Sequence, residues 1–192
     1  MAKGGSFERE MSKAFSLWFT AGVRDDVFWH TQSSGGRATQ RKKTGKATSG
    51  QHGDMFATDE IGKPLEKAWN VEFKSGYADT SERKLFDEKG RRAKIHFRWD
   101  LLDLIDSFQN KPVFEGFWGQ ARRDAWESGR TPVLVFRRNL RKPCIVFTRK
   151  YFNSLVDHFG YPEKEIIQLG KRACLLSLES FFEWIPDIGP VL

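Results

Sequence analysis

The stretch GDMFATDEIGKPLEKAWNVEFKSG, Gly53 to Gly76, constrains the chain more than any other. Its second half alternates as a half-buried strand does. Val71 and Phe73 fall on one face, Glu72 and Lys74 on the other, because successive strand residues point to opposite sides. Gly62, Lys63 and Pro64 carry turn chemistry, so the sequence predicts a β-hairpin centred there. Asp54 lies nine residues before Lys63 and Glu72 nine after it, which sets the two acids across the hairpin with Cβ atoms about 4.5–5.5 Å apart. Like charges so placed repel. A divalent cation relieves that repulsion: Mg²⁺ takes oxygen ligands at about 2.0–2.1 Å, typically one or two carboxylates with waters and phosphate oxygens. The expected site is a metal held by Asp54 and Glu72 with Lys74 at its rim. The plainer alternative is a surface hairpin with ordinary charges, since E-x-K is a common tripeptide. The facing aspartate, the apolar flanks and the basic segment beforehand favour the metal.

That basic segment is SSGGRATQRKKTGKATSGQHG, Ser33 to Gly53, with five Lys or Arg and no acid. Rich in Gly, Ser and Thr and without apolar periodicity, it reads as a loop. It is either a solvated linker or a grip on phosphates, and the formal net charge of +7 agrees with a polyanionic partner. Arg37, Arg41, Lys42, Lys43 and Lys46 are the residues that would contact such phosphates.

Elsewhere, Ser6 is a candidate N-cap for a helix to about Ala21, stopped by Gly22, with Phe7, Met11, Ala14, Phe15 and Trp18 as its buried stripe. Val27 to Gln32 reads as a strand. Ala78 to Lys94 is charged and read as irregular at least in part. Phe97 to Phe108 reads as a helix with Leu101, Leu102, Ile105 and Phe108 on one face and Asp100, Asp103 and Asp106 on a solvated one. Val113 to Ser128 is a second helix, burying Phe114, Phe117, Trp118, Ala121 and Ala125 and closing at Gly129. TPVLVFRRN and KPCIVFTRK form a hairpin across Arg137 to Lys142. Tyr151 to Phe159 is a short helix, followed by a strand at CLLSL and then ESFFEWI. The 192 residues make a single α/β domain. Cys144 and Cys174 sit in apolar surroundings and read as free thiols of a reducing cytosol. The four histidines are too scattered for a zinc site, and no apolar run reaches the roughly 18 residues of a membrane span.

Gly53–Asp54 followed by VEFKSG (Val71 to Gly76) resembles the core motif of the PD-(D/E)XK nuclease superfamily, with Gly53 where the motif usually has Pro. KGGSFERE (Lys3 to Glu10) and GQARRDAWESGRTPVLVF (Gly119 to Phe136) are similar to segments of archaeal-type Holliday junction resolvases. The resemblance covers roughly residues 3–36, 53–76 and 117–147. It implies a restriction-endonuclease-like core, a central mixed β-sheet flanked by helices. To this the chain adds the basic loop at 33–53, an insertion around Asp79–Lys111 and a C-terminal extension from about residue 151. It implies a Mg²⁺-dependent DNA endonuclease, with Mn²⁺ as a substitute, acting in recombination or repair. A restriction-like endonuclease, a repair exonuclease and a non-catalytic DNA-binding protein are the alternatives.

Carried onto this chain, the resemblance makes Asp54, Glu72 and the Phe73 carbonyl metal ligands, with Lys74 orienting or deprotonating the attacking water. Glu8 would complete the site through water, although Glu8 and Glu10 flank the apolar stripe almost symmetrically and either acid suits a first helical turn. Gln120 matches a helical glutamine near the lysine, or is a surface amide. Ser33 and Ser34 match a loop serine near the scissile phosphate. The implied partner is branched or junction DNA in a bacterial, archaeal or phage-infected cytoplasm, with no membrane. Two cuts require two sites and hence a homodimer. FEGFWGQ (Phe114 to Gln120) and SFFEWIPDIG (Ser180 to Gly189) are the candidate pairing surfaces, unless both cover the sheet.

Replacing Arg41, Lys42, Lys43 and Lys46 with Gln should weaken binding to all duplex sequences alike. Each lost phosphate contact should reduce the slope of log K against log salt by about 0.9. An unchanged slope in a salt titration would make the loop a linker.

Overall fold

Helix α1, Lys3–Phe19, lays Phe7, Met11, Phe15 and Trp18 against a β-sheet. The computed structural model describes residues 3–31, 53–77, 80–86, 92–98 and 113–192, with side chains described for 5–31, 53–75 and 113–192. Ser6 does not cap α1, because the helix is already under way three residues earlier. Its other end closes as anticipated. Gly22, at φ +86°, donates its N–H to Leu17 at 2.6 Å, and Ala21 donates to Trp18 at 3.2 Å, a left-handed cap that turns the chain out of the helix. Ser16 Oγ accepts from the Phe28 N–H at 2.8 Å and donates to the Ser12 carbonyl at 2.9 Å, which ties the next strand to α1.

That strand, β1 (Phe28–His30), pairs antiparallel with β2 (Met55–Ala57), in the register Phe28↔Ala57, Trp29↔Phe56 and His30↔Met55. The expected hairpin from Asp54 to Glu72 does not form. A 3-10 turn, Glu60–Gly62, and helix α2, Lys63–Ala68, stand where its turn was placed. The physical reason is local. Asp59 accepts the Ile61 N–H, Pro64 occupies the first helical turn where its missing donor costs nothing, and Leu65 is fully buried. Gly62 is needed there, since a Cβ would lie 2.8 Å from Phe28 and 2.9 Å from Val27.

Strand β3 (Trp69–Tyr77) runs parallel to β6 (Thr131–Arg138), with Glu72 opposite Leu134 and Lys74 opposite Phe136. Between them come β4 (Thr80–Phe86) and β5 (Arg92–Arg98), an antiparallel pair, and helix α3 (Val113–Ser128). This corrects one expectation: Phe97 and Arg98 end β5 rather than opening a helix. Strands occupy the described parts of the charged stretch 78–94, expected to be irregular at least in part. The remainder of that expected helix lies outside the described residues, with Leu101, Leu102, Ile105, Phe108 and the three aspartates. The alternation of Ala93, Ile95 and Phe97 with Lys94, His96 and Arg98 is the strand signal that charge content obscured.

Strand β7 (Cys144–Thr148) returns from β6 as the expected hairpin, and helix α4 spans Arg149–Phe159. Then β8 (Ile167–Leu169), β9 (Ala173–Ser177) and helix α5 (Leu178–Trp184) complete a mixed five-stranded sheet in the order β3-β6-β7-β9-β8. The fold is α/β, with helices on both sides of that sheet. One side buries Val71, Phe73, Val133, Val135, Ile145 and Phe147 beneath α1, α4 and α5. On the other, Leu134, Phe136 and Val146 meet Phe114, Trp118 and Ala121 of α3. Residues beyond 151 are part of this core: Phe152, Leu155, Phe181 and Ile185 are buried, and the Trp18 indole donates to the Ile185 carbonyl at 2.6 Å.

The two aromatic segments considered for subunit pairing largely cover the sheet. Phe114, Trp118, Phe181, Ile185 and Ile188 are buried, and Phe117, Phe182 and Trp184 pack against the core. Cys144 and Cys174 are both free thiols, and burial raises the pKa of each. Among the described residues no helix is long and apolar enough to cross a membrane.

Phe15 is fully buried with its ring against Trp18, Trp69, Phe73 and Phe182. Phe15→Ala should cost about 3–5 kcal/mol in urea denaturation, the range for truncating a packed aromatic.

Candidate functional site

Asp54 reaches β3 without a hairpin. Its N–H donates to the Val71 carbonyl at 2.7 Å, its Oδ2 accepts the Phe73 N–H at 2.8 Å, and its carbonyl accepts from Thr31 at 2.9 Å. Those bonds lay the 53–54 backbone along the β3 edge opposite β6, so the two acids meet as the alternation required but by another route. Gly53 sits at φ +88°, and a Cβ there would lie 2.9 Å from the Val71 carbonyl oxygen. Proline, held near φ −65°, does not fit that backbone. Glycine in the usual proline position is therefore a requirement of this local path.

Glu72 and Lys74 share the sheet face covered by α3, while Val71 and Phe73 anchor the strand on the opposite face. Glu72 is 3% exposed and Asp54 6%. The Lys74 ammonium pairs with Glu72 Oε1, and Gln120 Nε2 of α3 donates to the same oxygen at 2.7 Å. Gln120 is thus half-buried and held against Glu72. Both bonds fall on Oε1, and among the described residues none falls on Oε2. Burial first, and then the Asp54 carboxylate, push the Glu72 carboxyl up to about 7, against the pull of Lys74. Glu8 is raised as well, by burial and then by Asp54, again opposed by Lys74.

The Glu8 and Glu10 alternatives separate in the fold. Glu10 is gripped by the Arg137 guanidinium at 2.6 and 2.9 Å, and that guanidinium lies 4.6 Å over the Phe7 ring. Glu8 instead feels Asp54 and Lys74. In an extended strand the N–H and C=O of one residue face the same edge. The Phe73 carbonyl therefore faces Asp54, as its N–H does. Ser33, Ser34, Arg37, Arg41, Lys42, Lys43 and Lys46 lie outside the described residues.

Three groups near the site gave no sequence signal by themselves. Asp124, one helical turn beyond Gln120, adds its charge to the field on Glu72. Asn70 is fully buried with no hydrogen-bond partner for either amide atom among the described residues, and its Oδ1 lies beside Gly53. His30 is buried with Nδ1 unpartnered, and burial together with Arg9 lowers its pKa. Position in the fold created these environments; only the helical spacing of 120 and 124 was readable beforehand.

Among the described residues no three His, Cys, Asp or Glu side chains form a ready-made metal cage. The pair Asp54 and Glu72 nevertheless suits a hard cation. Both are oxygen donors, Glu72 retains an oxygen with no hydrogen bond among the described residues, and burial together with the Asp54 charge raises the pKa values of Glu72 and Glu8. No family model, curated protein or solved structure matches the chain.

A carboxyl raised in the folded state stabilises the protein below its unfolded pKa and loses that contribution as pH rises through the folded value. In metal-free buffer the melting temperature should therefore fall between about pH 5 and pH 8, the window set by Glu72. Mg²⁺ should reverse the fall, and Glu72→Gln should flatten both responses. A wild-type melting curve indifferent to pH and Mg²⁺ would contradict the charge balance described.

Proposed function

We propose that the chain is a Mg²⁺-dependent endodeoxyribonuclease with a restriction-endonuclease-like core of the PD-(D/E)XK type, acting on branched DNA. The observation that carries this reading is Glu72, buried at the β3 edge between Lys74 and Gln120, with Asp54 bonded to the very next N–H. A lysine and a helical glutamine on one buried Glu72 oxygen, with a second carboxylate bonded to the next residue, form a charged cluster that packing alone does not call for. The Asp54 charge raises the pKa values of Glu72 and Glu8, which costs stability.

In this reading Asp54, Glu72 and the Phe73 carbonyl hold the cation, and Glu8 completes its surroundings through water. The cation supplies charge for the phosphodiester oxygens and lowers the pKa of a bound water. Lys74 does the positioning that the acids cannot. Its ammonium, tethered to Glu72, orients the attacking water and donates to the oxygens that gain charge as the P–O3′ bond breaks. Gln120 holds Glu72 Oε1 in place, which would leave Oε2 available to a cation. In-line attack leaves a 5′-phosphate and a 3′-hydroxyl. Ser33, Ser34 and the basic residues of the 33–53 loop would hold the flanking backbone. Paired cuts across a junction need two such sites, and thus a homodimer built on surfaces other than the aromatic segments already packed in the core.

Purified protein with Mg²⁺ should be offered a four-way junction, a flap, a linear duplex and single strands side by side. Asp54→Ala and Glu72→Ala should abolish cleavage while retaining DNA binding. Lys74→Ala should be inactive yet still show the Mg²⁺-induced rise in melting temperature, which separates its role from that of the ligands. Gln120→Ala should lose about 10–100-fold in rate, as groups that orient a metal ligand do. Wild-type cleavage by either acid variant would remove this reading. Equal rates on junction and linear duplex, from a monomer in sedimentation, would remove the junction preference and leave the nuclease.

A further inference from the structure

The solvent side of α3 carries a feature that the reaction at Glu72 does not use. Arg122, Arg123, Trp126 and Arg130 recur at helical spacing along one stripe, with Arg130 just past the helix end. They wall a cleft of about 610 Å³ whose floor is Pro132 of β6 and Thr148 of β7. That size falls within the roughly 300–1,000 Å³ of ligand sites. The Arg123 guanidinium folds back over Gly119, with Nη1 3.5 Å from where a Cβ would stand.

Two properties define what the cleft would accept. First, Trp126 is 87% exposed, the most exposed aromatic side chain among the described residues. The other tryptophans of α1, α3 and β3 are buried, so the fold does not lack places to put an indole. Second, none of the three arginines takes part in an ion pair among the described residues, whereas Arg24 and Arg137 are each held by carboxylates. Glu127 is the acid in the lining, which leaves the cleft positive. Arg130 also lies within electrostatic reach of Lys63, which extends the positive surface toward α2.

Guanidinium forks match phosphate oxygens, and an exposed indole offers a stacking platform to an unpaired base. Paired bases in a duplex present no free face. We infer that this cleft binds a single-stranded nucleic-acid segment, with Arg122, Arg123 and Arg130 on consecutive phosphates and Trp126 stacked on a base. The site lies on the flank of α3 turned away from Glu72, because Gln120 and Asp124 occupy the flank that faces it. The inference therefore does not depend on the nuclease reading.

The test is fluorescence anisotropy of a labelled oligothymidylate with the full chain in EDTA, where metal-dependent cleavage cannot interfere. Trp126→Ala should weaken binding about tenfold, the scale of one lost base stack, and Trp126→Phe should restore most of it. A labelled duplex should bind both variants as it binds the wild type. Changing Arg122, Arg123 and Arg130 together to Gln should reduce the single-strand salt slope by about 2, at roughly 0.7 per phosphate. Trp126 is exposed, so an unchanged melting temperature will show that its variants fold. Oligothymidylate affinity unaltered by Trp126→Ala would overturn the inference. So would an acidic peptide that displaces the oligonucleotide at equal charge and binds with the same Trp126 dependence, since the cleft would then be a protein-docking surface.

Discussion

Asp54 is bound twice to β3, through its N–H to Val71 and through its carboxylate from the Phe73 N–H, and the candidate site depends on that clamp. It carries the chain from β2 to the edge of the five-stranded sheet and fixes one acid beside another. The arrangement is electrostatically unfavourable, as the raised pKa of Glu72, pushed up by burial and by Asp54, records. What holds it is on the reverse face of the same strand. Val71 and Phe73 are buried against α1, and Trp69 packs among Phe15, Trp18, Phe147 and Phe181. Each such side chain contributes about 1.5–3 kcal/mol on burial. Strand alternation thus lets one residue run serve two purposes, with packing on one side and concentrated charge on the other.

Elements with a strong period were legible in the sequence. The stripe of α1, the α3 segment with its closing Gly129, and the β6–β7 hairpin all stand where hydrophobic spacing put them. Gly62–Lys63–Pro64 was not legible, because the same residues open a helix as readily as they make a turn. Burial of Leu65 and the close fit of Gly62 on Val27 and Phe28 select the helix, and both are tertiary facts. The pairing of Asp54 with Glu72 was anticipated from a hairpin symmetry that does not exist; strand alternation supplied the part of the argument that survives. Separating Glu8 from Glu10 needed Arg137, far along the chain, whose fork removes Glu10 from consideration.

The protonation of Glu72 connects the fold to its chemistry. In the proposed reading a proton and a cation would compete for the same carboxylate, because either would relieve the charge that Asp54 imposes. Lys74 relieves part of it, but a single ammonium shared with a buried acid leaves Glu72 near neutrality in its titration. The lysine therefore offsets only part of the charge, and in the proposed reading a divalent ion would offset the rest. Gln120 adds a neutral donor to the same oxygen, which steadies the carboxylate without altering the net charge.

Helix α3 carries both the Gln120 flank of the candidate site and the flank of the arginine–tryptophan cleft. Its buried stripe of Phe114, Trp118, Ala121 and Ala125 fixes its rotation on the sheet. Once that rotation is set, Gln120 and Asp124 must turn toward Glu72, and Arg122 and Trp126 must turn to the opposite flank. A change that rotates the helix would disturb both flanks together, whereas a change in an exposed side chain would disturb only its own. The helix is rigid between the two flanks, so a strand held in the cleft would have a fixed orientation relative to the acids. Distance along the strand, rather than base identity, would then decide which bond lies over Glu72.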